Sequence, residues 1–318
     1  MNGTTLATPS FTDKIALIVV VGATAVGKTS TAIRLARRFQ GEVISADSRY
    51  LYRGLDIGTA TPSEAEMAEV PHHLINILDP EDDYTLAHYQ RDAMAAIADV
   101  ARHGRLPILA GGTPLYLNAL LEGWRIPEVP PDPAFRAEME VKAAKDGPDA
   151  LHRQLATVDP VAAERIPPGN VRRVIRALEI HRQTGRRMSE LEGKEPPPWR
   201  TLVIGLTLPR EELYRRIDER VDQQIADGLV DEVRELLRRD VSPDAPAMSA
   251  IGYPQIVAYL AGQTTLEEAV ERIKFDTHRY VRHQSTWLKR MPSVHWFEPS
   301  DADYFDQIIQ LVTEFLAT

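Results

Sequence analysis

The sequence has no cysteine, no apolar run long enough to span a membrane and no excess of positive charge. The lack of cysteine excludes disulfides and cysteine-based zinc sites, and it is typical of cytoplasmic proteins. The start, MNGTTLATPSFTDK, has neither a basic segment nor an apolar one. We therefore expect a disordered tail over residues 1–13 rather than a secretory signal, and a cytoplasmic protein without membrane association.

Acidic residues outnumber basic ones, 46 to 37, which argues against a protein that binds nucleic acid over its whole surface. Two segments depart from this balance. Residues 165–187 contain seven arginines and one acid, Glu179, and residues 272–290 contain six Lys or Arg and one acid, Asp276. Each segment is either a local surface for a polyanion or a solvated helix face.

Residues 22–29 read GATAVGKT, the phosphate-binding loop pattern of two glycines separated by four residues and followed by Lys and Thr. An apolar run typical of a buried strand precedes it, and a helical pattern that ends at Gly41 follows. A strand, a glycine-rich turn and a helix direct backbone N–H groups at one point, where a phosphate binds. Lys28 would reach a terminal phosphate and Thr29 would ligate Mg²⁺. The alternative is a glycine turn without a ligand.

Two further residues lie where predicted strands end. Asp47 follows the apolar Val43–Ile44 segment, and ligands gather at the carboxyl ends of parallel strands. Asp47 is a general base, a binder of a substrate hydroxyl or a structural cap; these roles stay open here. Residues 106–112 predict another strand, followed by Thr113 where nucleotide-hydrolysing P-loop enzymes usually have an acid for Mg²⁺.

Two proline-rich segments, 126–133 and 195–200, enclose a helical stretch. We predict an α/β fold: a P-loop NTPase-like core with a parallel sheet, formed by residues 14–123 and 201–318, plus an all-helical insertion over residues 124–200. Residues 72–78 predict a third strand and 293–297 a last one. The adjacent His72 and His73 point to opposite faces of a strand, so a shared metal is not expected.

The chain resembles the bacterial tRNA dimethylallyltransferases, also called tRNA isopentenyltransferases. The resemblance extends from Ile15 to about Trp296. It is carried in order by the motifs GATAVGKT, ISADSRYLYRGLDIGTATP, PHHLINI, LAGGTPLYLNALLEG, VDPVAAERI, VRRVIRALEI, GLVDEV, IGYPQI and QSTWL.

The resemblance implies transfer of a dimethylallyl group from dimethylallyl diphosphate to N6 of the adenine 3′ of the anticodon in tRNA, with release of diphosphate and assistance by Mg²⁺. Asp47 would be the base, and Thr113 would hydrogen-bond near the reacting atoms. Arg220, with Arg216 on the same helix face, would neutralise the leaving diphosphate, unless it forms a surface ion pair. The diphosphate would be held by the loop residues Gly22, Ala23, Thr24, Ala25, Val26, Gly27, Lys28 and Thr29.

The adenine must leave its stack to reach such a site, so side chains are needed that hold the anticodon stem-loop. By resemblance the contacts come from Asp47, Ser48, Arg49, Tyr50, Thr113, Arg136, Arg172, Arg173, Arg176, Gly252, Tyr253, Arg282, His283 and Gln284. The sequence departs from the family pattern at Tyr50, Arg172, Pro254 and His283, where the family usually has Gln, Gln, a basic residue and Arg. These departures concern anticodon reading rather than the chemistry.

Three other functions fit parts of the sequence. A small-molecule or nucleoside kinase shares the loop and a strand-end Asp, but it gives the arginines of the insertion no role. A dimethylallyltransferase that acts on free adenine nucleotides should lack a large RNA-binding insertion. A P-loop RNA-binding regulator needs neither Asp47 nor Thr113. We expect a monomeric chain.

Overall fold

The computed structural model describes residues 14–318, so the predicted tail over residues 1–13 lies outside the described residues. Eight strands are present in this range. They are β1 Ile15–Gly22, β2 Gly41–Ala46, β3 His72–His73, β4 Leu106–Gly111, β5 Trp124–Arg125, β6 Gly193–Lys194, β7 Trp199–Leu206 and β8 Val294–Phe297.

Fifteen α-helices accompany these strands within residues 14–318. They are α1 Lys28–Phe39, α2 Asp56–Thr59, α3 Glu64–Glu69, α4 Leu86–Arg102, α5 Pro114–Leu121, α6 Pro133–Asp146, α7 Pro148–Val158, α8 Pro160–Arg165, α9 Val171–Thr184, α10 Met188–Leu191, α11 Arg210–Ala226, α12 Leu229–Arg238, α13 Tyr253–Leu260, α14 Leu266–Leu288 and α15 Tyr304–Leu316. None of the helices in the described range is long and apolar enough to cross a membrane.

Six strands form one parallel sheet in the order β3-β2-β4-β1-β7-β8. The central strand β1 pairs with β4 on one side, Ile18 opposite Ile108, and with β7 on the other, Ile18 opposite Leu202. Residues 17–21 of β1 are fully buried, as expected for a strand whose sheet is covered on both faces. The predicted α/β core with a parallel sheet is confirmed.

The predicted strand over residues 72–78 is wrong beyond its first two residues. Leu74 and Asn76 have positive φ angles of 61° and 52°, which an extended strand does not allow. The chain turns there, and the N–H of Asn76 donates to the carbonyl of Tyr50. Only His72–His73 pairs with β2.

The short helix α2 lies in a stretch, residues 49–62, that shows no helical or strand periodicity in the sequence. The Glu232 carboxylate of α12 accepts hydrogen bonds from the N–H groups of Asp56, Ile57 and Gly58 at 2.7–3.0 Å. A carboxylate at a helix start satisfies N–H groups that the helix itself leaves open. Because this cap lies far away in the sequence, the local pattern did not predict the helix.

The chain divides into two compact units. One comprises the described residues up to Leu117 together with Pro198–Thr318 and contains the six-stranded sheet. The other is Asn118–Pro197, which overlaps the segment 124–200 that the sequence predicts as the insertion. Its helices α6–α10 match the helical prediction. The prediction that this segment is all-helical is wrong near both ends. There β5 and β6, of two residues each, pair in antiparallel fashion.

Glu179 of α9 organises the interior of the second unit. Its side chain is fully buried and accepts hydrogen bonds from the Asp132 N–H at 2.7 Å and from the guanidinium groups of Arg136 and Arg176. Burial raises the pKa of Glu179, but the hydrogen bonds from Arg136, Asp132 and Arg176 outweigh this and lower the pKa from 4.5 to about 2. The sequence indicated only an isolated acid in a basic segment.

Replacing Glu179 by Gln is expected to lower the free energy of unfolding by about 3 kcal/mol, because two arginines then lose their buried counter-charge. The folded-state pKa lies below the unfolded one, so the wild-type contribution is complete above pH 4.5 and is lost as the pH falls towards 2. Denaturant unfolding at several pH values measures both effects.

The matched control is Glu138→Gln on α6, whose 68% exposed carboxylate lies 4.0 Å from Arg182. We expect this control to change the unfolding free energy by less than about 0.5 kcal/mol, as exposed ion pairs do. Equal losses in the two variants would contradict the role of Glu179.

Candidate active site

The phosphate-binding loop lies between β1 and α1, as the sequence predicts. A Cβ at Gly22 would lie 2.7 Å from Val26 Cγ1 and 2.8 Å from the Leu206 carbonyl, so only glycine fits there. Gly27 has a φ of 104°, and α1 begins at the next residue. The first N–H groups of a helix have no partner within it. They are thus available to an anion at this end of α1.

Lys28 is held inside the loop. Its Nζ donates to the carbonyl of Ala23 at 2.8 Å. Burial is the main reason that its pKa is lowered from 10.5 to about 8; the negative charge of Asp47 opposes this shift, and the positive charge of Arg220 contributes to it. A poorly hydrated ammonium that lies beside a second cation gains much from an anion, because the anion replaces the lost water and separates the two positive charges.

Asp47 and Thr113 lie together at the ends of β2 and β4. Asp47 Oδ1 accepts the Arg49 N–H at 2.9 Å, so the cap predicted as one of its roles is present. Thr113 Oγ1 accepts the Ser48 N–H at 3.0 Å, and the Thr113 N–H donates to Ala46 at 3.2 Å. These backbone contacts hold both side chains in fixed positions. Among residues 14–318, we find no hydrogen bond to the second carboxylate oxygen of Asp47.

A cavity of about 510 Å³ opens beside these residues. It brings together six predicted site residues from four parts of the sequence: Thr24, Asp47, Ser48, Arg49, Thr113 and Arg220. Its walls come from α2, α11, α14 and the segment before α13, with lining residues that include Gly58, Thr59, Gln224, Ser249, Ala250, Ile251, Ile273, Thr277 and Tyr280. A volume of this size accommodates a group as large as a nucleobase with its surroundings.

A second, smaller cavity of about 20 Å³ is also lined by Asp47, together with residues that include Lys28, Thr29, Ser45 and Tyr50. This volume holds about one water molecule. Burial and Asp47 raise the pKa of Tyr50, whereas the charge of Arg220 and hydrogen bonds with Thr29 and Arg220 oppose the rise. The Tyr50 hydroxyl therefore lies next to both Thr29 and Arg220. Oxygen atoms of Thr29, Ser45, Asp47 and Tyr50 share the lining of this space with the Lys28 side chain and with apolar residues such as Val43 and Ile75.

Arg216 and Arg220 have different surroundings, although they share a helix. Arg216 donates from Nε to Glu212 at 2.7 Å, one turn away. The surface ion pair that the sequence left open for Arg220 is thus found at Arg216. Arg220 instead lines the large cavity, close enough to Lys28 to lower its pKa.

Several predicted RNA contacts are engaged elsewhere. Tyr253 is fully buried and its hydroxyl donates to Glu232 at 2.7 Å, and Gly252 beside it is buried as well. Gln284 is only 3% exposed. Arg136 and Arg176 bind the buried Glu179. Tyr253, Gly252 and Gln284 are buried by segments that are distant in the sequence, which local pattern does not reveal, and their contact with RNA stays a prediction.

Other predicted contacts remain at the surface. Arg172, Arg173, Arg282 and His283 are exposed. Arg173 lies 3.9 Å from Glu192, and Arg282 donates to the Tyr214 hydroxyl at 3.2 Å. Arg49 donates from Nη1 to the Pro246 carbonyl and the Ser249 hydroxyl, which ties the loop after β2 to the cavity wall.

The cavity residues that were missed from the sequence include Tyr280 and Gln224. Both carried a usable signal. Gln224 follows Arg220 by four residues on α11, and Tyr280 precedes Gln284 by four on α14, so each pair shares a helix face. The removal of the Tyr280 hydroxyl from water and the charge of Asp47 raise the pKa of Tyr280 to about 12.

The paired histidines do not share a ligand. His73 Nε2 lies 2.7 Å from Glu42, and His72 Nδ1 lies 2.8 Å from the Val70 carbonyl. Within the described residues, no group of three or more His, Cys, Asp or Glu side chains is arranged to hold a metal ion. A cation at the phosphate loop would therefore depend on hydroxyl, phosphate and water oxygens in addition to any carboxylate.

The fold and this site define a P-loop protein that binds a phosphate compound next to a strand-end acid and a cavity for a second reactant. Comparison with known families identifies it further. The model for IPP transferase matches residues 50–291, and the model for isopentenyl transferase matches residues 15–76. The chain belongs to the tRNA dimethylallyltransferase family, and it is an enzyme of the prenyl-transferring class.

Individual relatives agree with this assignment. The tRNA dimethylallyltransferase of Thermomicrobium roseum is 64% identical over 94% of this chain and 91% of its own length. The tRNA dimethylallyltransferase of a Roseiflexus species is 51% identical over 95% of this chain and 99% of its own length. These relatives do not favour the kinase alternative.

Solved structures are similar over nearly the whole chain. The tRNA isopentenylpyrophosphate transferase of Bacillus halodurans has a TM-score of 0.72 at 42% identity, covering 96% of this chain and 97% of that one. A eukaryotic dimethylallyltransferase acting on tRNA has a TM-score of 0.83 at 28% identity, covering 95% and 80%. The fold described above is therefore that of the tRNA-modifying members of the family.

Proposed function

We propose that this enzyme transfers a dimethylallyl group from dimethylallyl diphosphate to N6 of the adenine 3′ of the anticodon in tRNA. The observation that carries the proposal is the single cavity lined by Thr24 of the phosphate loop, Asp47, Thr113 and Arg220. A diphosphate on the loop and an adenine in the cavity would meet at the ends of β2 and β4. Asp47 at the end of β2 would accept a proton there.

The reaction has a simple balance. N6 of the adenine forms a bond with C1 of the dimethylallyl group while the C1–O bond to the diphosphate breaks. The electron pair of that bond leaves with the diphosphate. The proton lost from N6 passes to Asp47, whose second carboxylate oxygen is left open by the cap to Arg49. A base in this position assists a weak nucleophile as positive charge develops on nitrogen.

The diphosphate would be held by the residues of the loop. The N–H groups that begin α1, the Lys28 ammonium and the Arg220 guanidinium would neutralise the charge that develops on it. Thr113 would hydrogen-bond to N6 or to the bridging oxygen. The bond that Thr113 accepts from the Ser48 N–H orients its hydroxyl for this purpose.

Mg²⁺ fits the same end of the loop. Thr29 would hold it, and Asp47, Ser45 and Tyr50 line the adjoining small space with oxygen atoms. When bound, the ion would offset negative charge on the leaving diphosphate.

Exposed arginines would hold the anticodon stem-loop. We assign this role to Arg172 and Arg173 in the second unit, and to Arg282 and His283 on α14 in the first. Ser48 and Arg49 at the large cavity and Tyr50 at the small one are further contacts in this proposal. We expect the enzyme to work as a monomer in the cytoplasm, and light scattering after size-exclusion chromatography checks its mass.

A transfer assay tests the proposed function. The enzyme is incubated with Mg²⁺, labelled dimethylallyl diphosphate and unmodified tRNA, with a parallel sample in which ATP replaces the prenyl donor. We expect label in the tRNA, and after digestion in N6-modified adenosine next to the anticodon. Absence of label, together with ATP consumption on addition of small molecules, would overturn the proposal in favour of a kinase.

Arg220→Gln is expected to lower kcat/KM for dimethylallyl diphosphate by about 100-fold, because a charged donor to the leaving group is lost. Arg216→Gln on the same helix is the matched control, and it should stay within about twofold, since Arg216 is paired with Glu212 and does not line the large cavity. Steady-state kinetics with the prenyl donor limiting measures both variants. A similar loss in the two would contradict the assignment of Arg220.

A further inference from the structure

Gln284 lies in the interior, although its helix carries exposed basic residues on either side. Its side chain is 3% exposed. The carboxamide makes two hydrogen bonds of 3.0 Å: Oε1 accepts the N–H of Thr24, and Nε2 donates to the carbonyl of Gly112. The amide of one residue on α14 thus joins two separate segments of the sheet edge.

Both partners belong to the reaction site. Thr24 is the third residue of the phosphate loop and lines the large cavity. Gly112 follows β4 and immediately precedes Thr113. The approach at Gly112 is close, since a Cβ there would lie 2.7 Å from Gln284 Nε2 and 3.5 Å from Lys28 Nζ. A larger residue at this position would displace the Gln284 carboxamide from its hydrogen bonds.

Only a carboxamide satisfies both bonds. Thr24 offers a donor and Gly112 an acceptor, so the side chain between them must accept on one side and donate on the other. A carboxylate would place an oxygen opposite the Gly112 carbonyl, and an apolar side chain would leave a buried N–H and a buried carbonyl without partners. The Thr24 N–H precedes α1, so no helical hydrogen bond fixes it.

We infer that Gln284 is a positioning residue that fixes the phosphate loop against the segment carrying Thr113, and that it is not an RNA contact. The inference rests on the proposed function for the identity of the phosphate ligand. Gln284 also links the phosphate loop to α14, whose residue Tyr280 lines the cavity for the second reactant. Gln284 therefore acts on the diphosphate through the loop, without touching it.

Two variants test this role. Gln284→Met keeps the length of the side chain and removes both hydrogen bonds, and Gln284→Glu keeps the acceptor for Thr24 but adds a charge beside the anion site. Gln263→Glu, at an exposed position before α14, is the control for the charge change. Calorimetry measures the affinity for inorganic pyrophosphate with Mg²⁺, and filter binding measures the affinity for an unmodified anticodon stem-loop.

We expect Gln284→Met to weaken pyrophosphate binding about three- to tenfold and to raise KM for the prenyl donor in parallel, the effect of losing one or two hydrogen bonds. Gln284→Glu should weaken pyrophosphate binding further, whereas the control Gln263→Glu should leave it unchanged. Stem-loop affinity should stay within about twofold for all three variants. Unchanged pyrophosphate affinity with weaker stem-loop binding would overturn the inference and make Gln284 an RNA contact.

The pyrophosphate measurement separates this inference from the proposed function. If the wild type binds pyrophosphate but transfers no prenyl group, the proposed function fails, while the comparison of variants still decides the role of Gln284. If the variants do not fold, the rate of hydrogen exchange at the Thr24 amide of the wild type tests the role of Gln284 instead. Slow exchange supports the inference, and exchange at the rate of an open loop overturns it.

Discussion

Asp47→Asn is expected to lower the turnover of prenyl transfer by about 10²- to 10⁴-fold, the contribution of a general base. The substitution preserves the fold, because the Asn side-chain oxygen still accepts the Arg49 N–H that Asp47 Oδ1 accepts now. What it removes is the ability to take the proton from N6. Single-turnover kinetics with saturating tRNA and prenyl donor measures the chemical step without binding effects.

The control for this prediction is Asp240→Asn, the same change at an exposed turn with a φ of 60°, which Asn tolerates well. The stem-loop affinity of Asp47→Asn should equal that of the wild type, since Arg49 keeps its contacts to Pro246 and Ser249. Turnover within about tenfold of the wild type would leave Asp47 with its structural role alone.

Lys28→Met is expected to weaken the binding of pyrophosphate by about 10- to 100-fold, the range for hydrogen bonds to a charged group. The pKa of about 8 adds a dependence on pH. The ammonium form binds the anion and predominates below pH 8, and an anion raises the pKa of its partner. Wild-type affinity should therefore fall as the pH rises above 8, with uptake of a proton on binding.

Calorimetry between about pH 7 and about pH 9, in buffers of different ionisation enthalpy, measures this proton uptake. Pyrophosphate titrates in the same range, so the informative quantity is the difference between the wild type and Lys28→Met at each pH. Lys145→Met, at an exposed position on α6, should match the wild type throughout. A constant difference between wild type and Lys28→Met across this range would show that Lys28 does not titrate on binding.

Local pattern was sufficient for the phosphate loop and for most of the sheet. Strand, glycines and helix occupy consecutive residues there, and the buried strand β1 is apolar throughout because it is covered on both faces. The predicted strand over residues 72–78 is wrong beyond His73, because there the local pattern is misleading. Its apolar residues fill a turn with positive φ angles, which composition does not distinguish from a strand.

The surroundings of single polar side chains could not be predicted. Gln284 meets Thr24 across 260 residues of sequence, and Glu232 caps α2 across more than 170. In a helix pattern such residues look like ordinary surface positions. Arg136 and Arg176 illustrate the same limit, because the sequence does not show that the buried Glu179 accepts hydrogen bonds from both.

The position of β1 has a consequence for the synthesis of the chain. Ile18 pairs with Ile108 on one side, but its partner on the other side, Leu202, follows the entire second unit in the sequence. On the ribosome, one edge of the most apolar strand therefore stays open until residues beyond 199 have emerged. An open edge of this kind invites pairing with other chains. Chain termination within the insertion should yield an aggregating product, and slow decoding of that segment prolongs the dependence on chaperones.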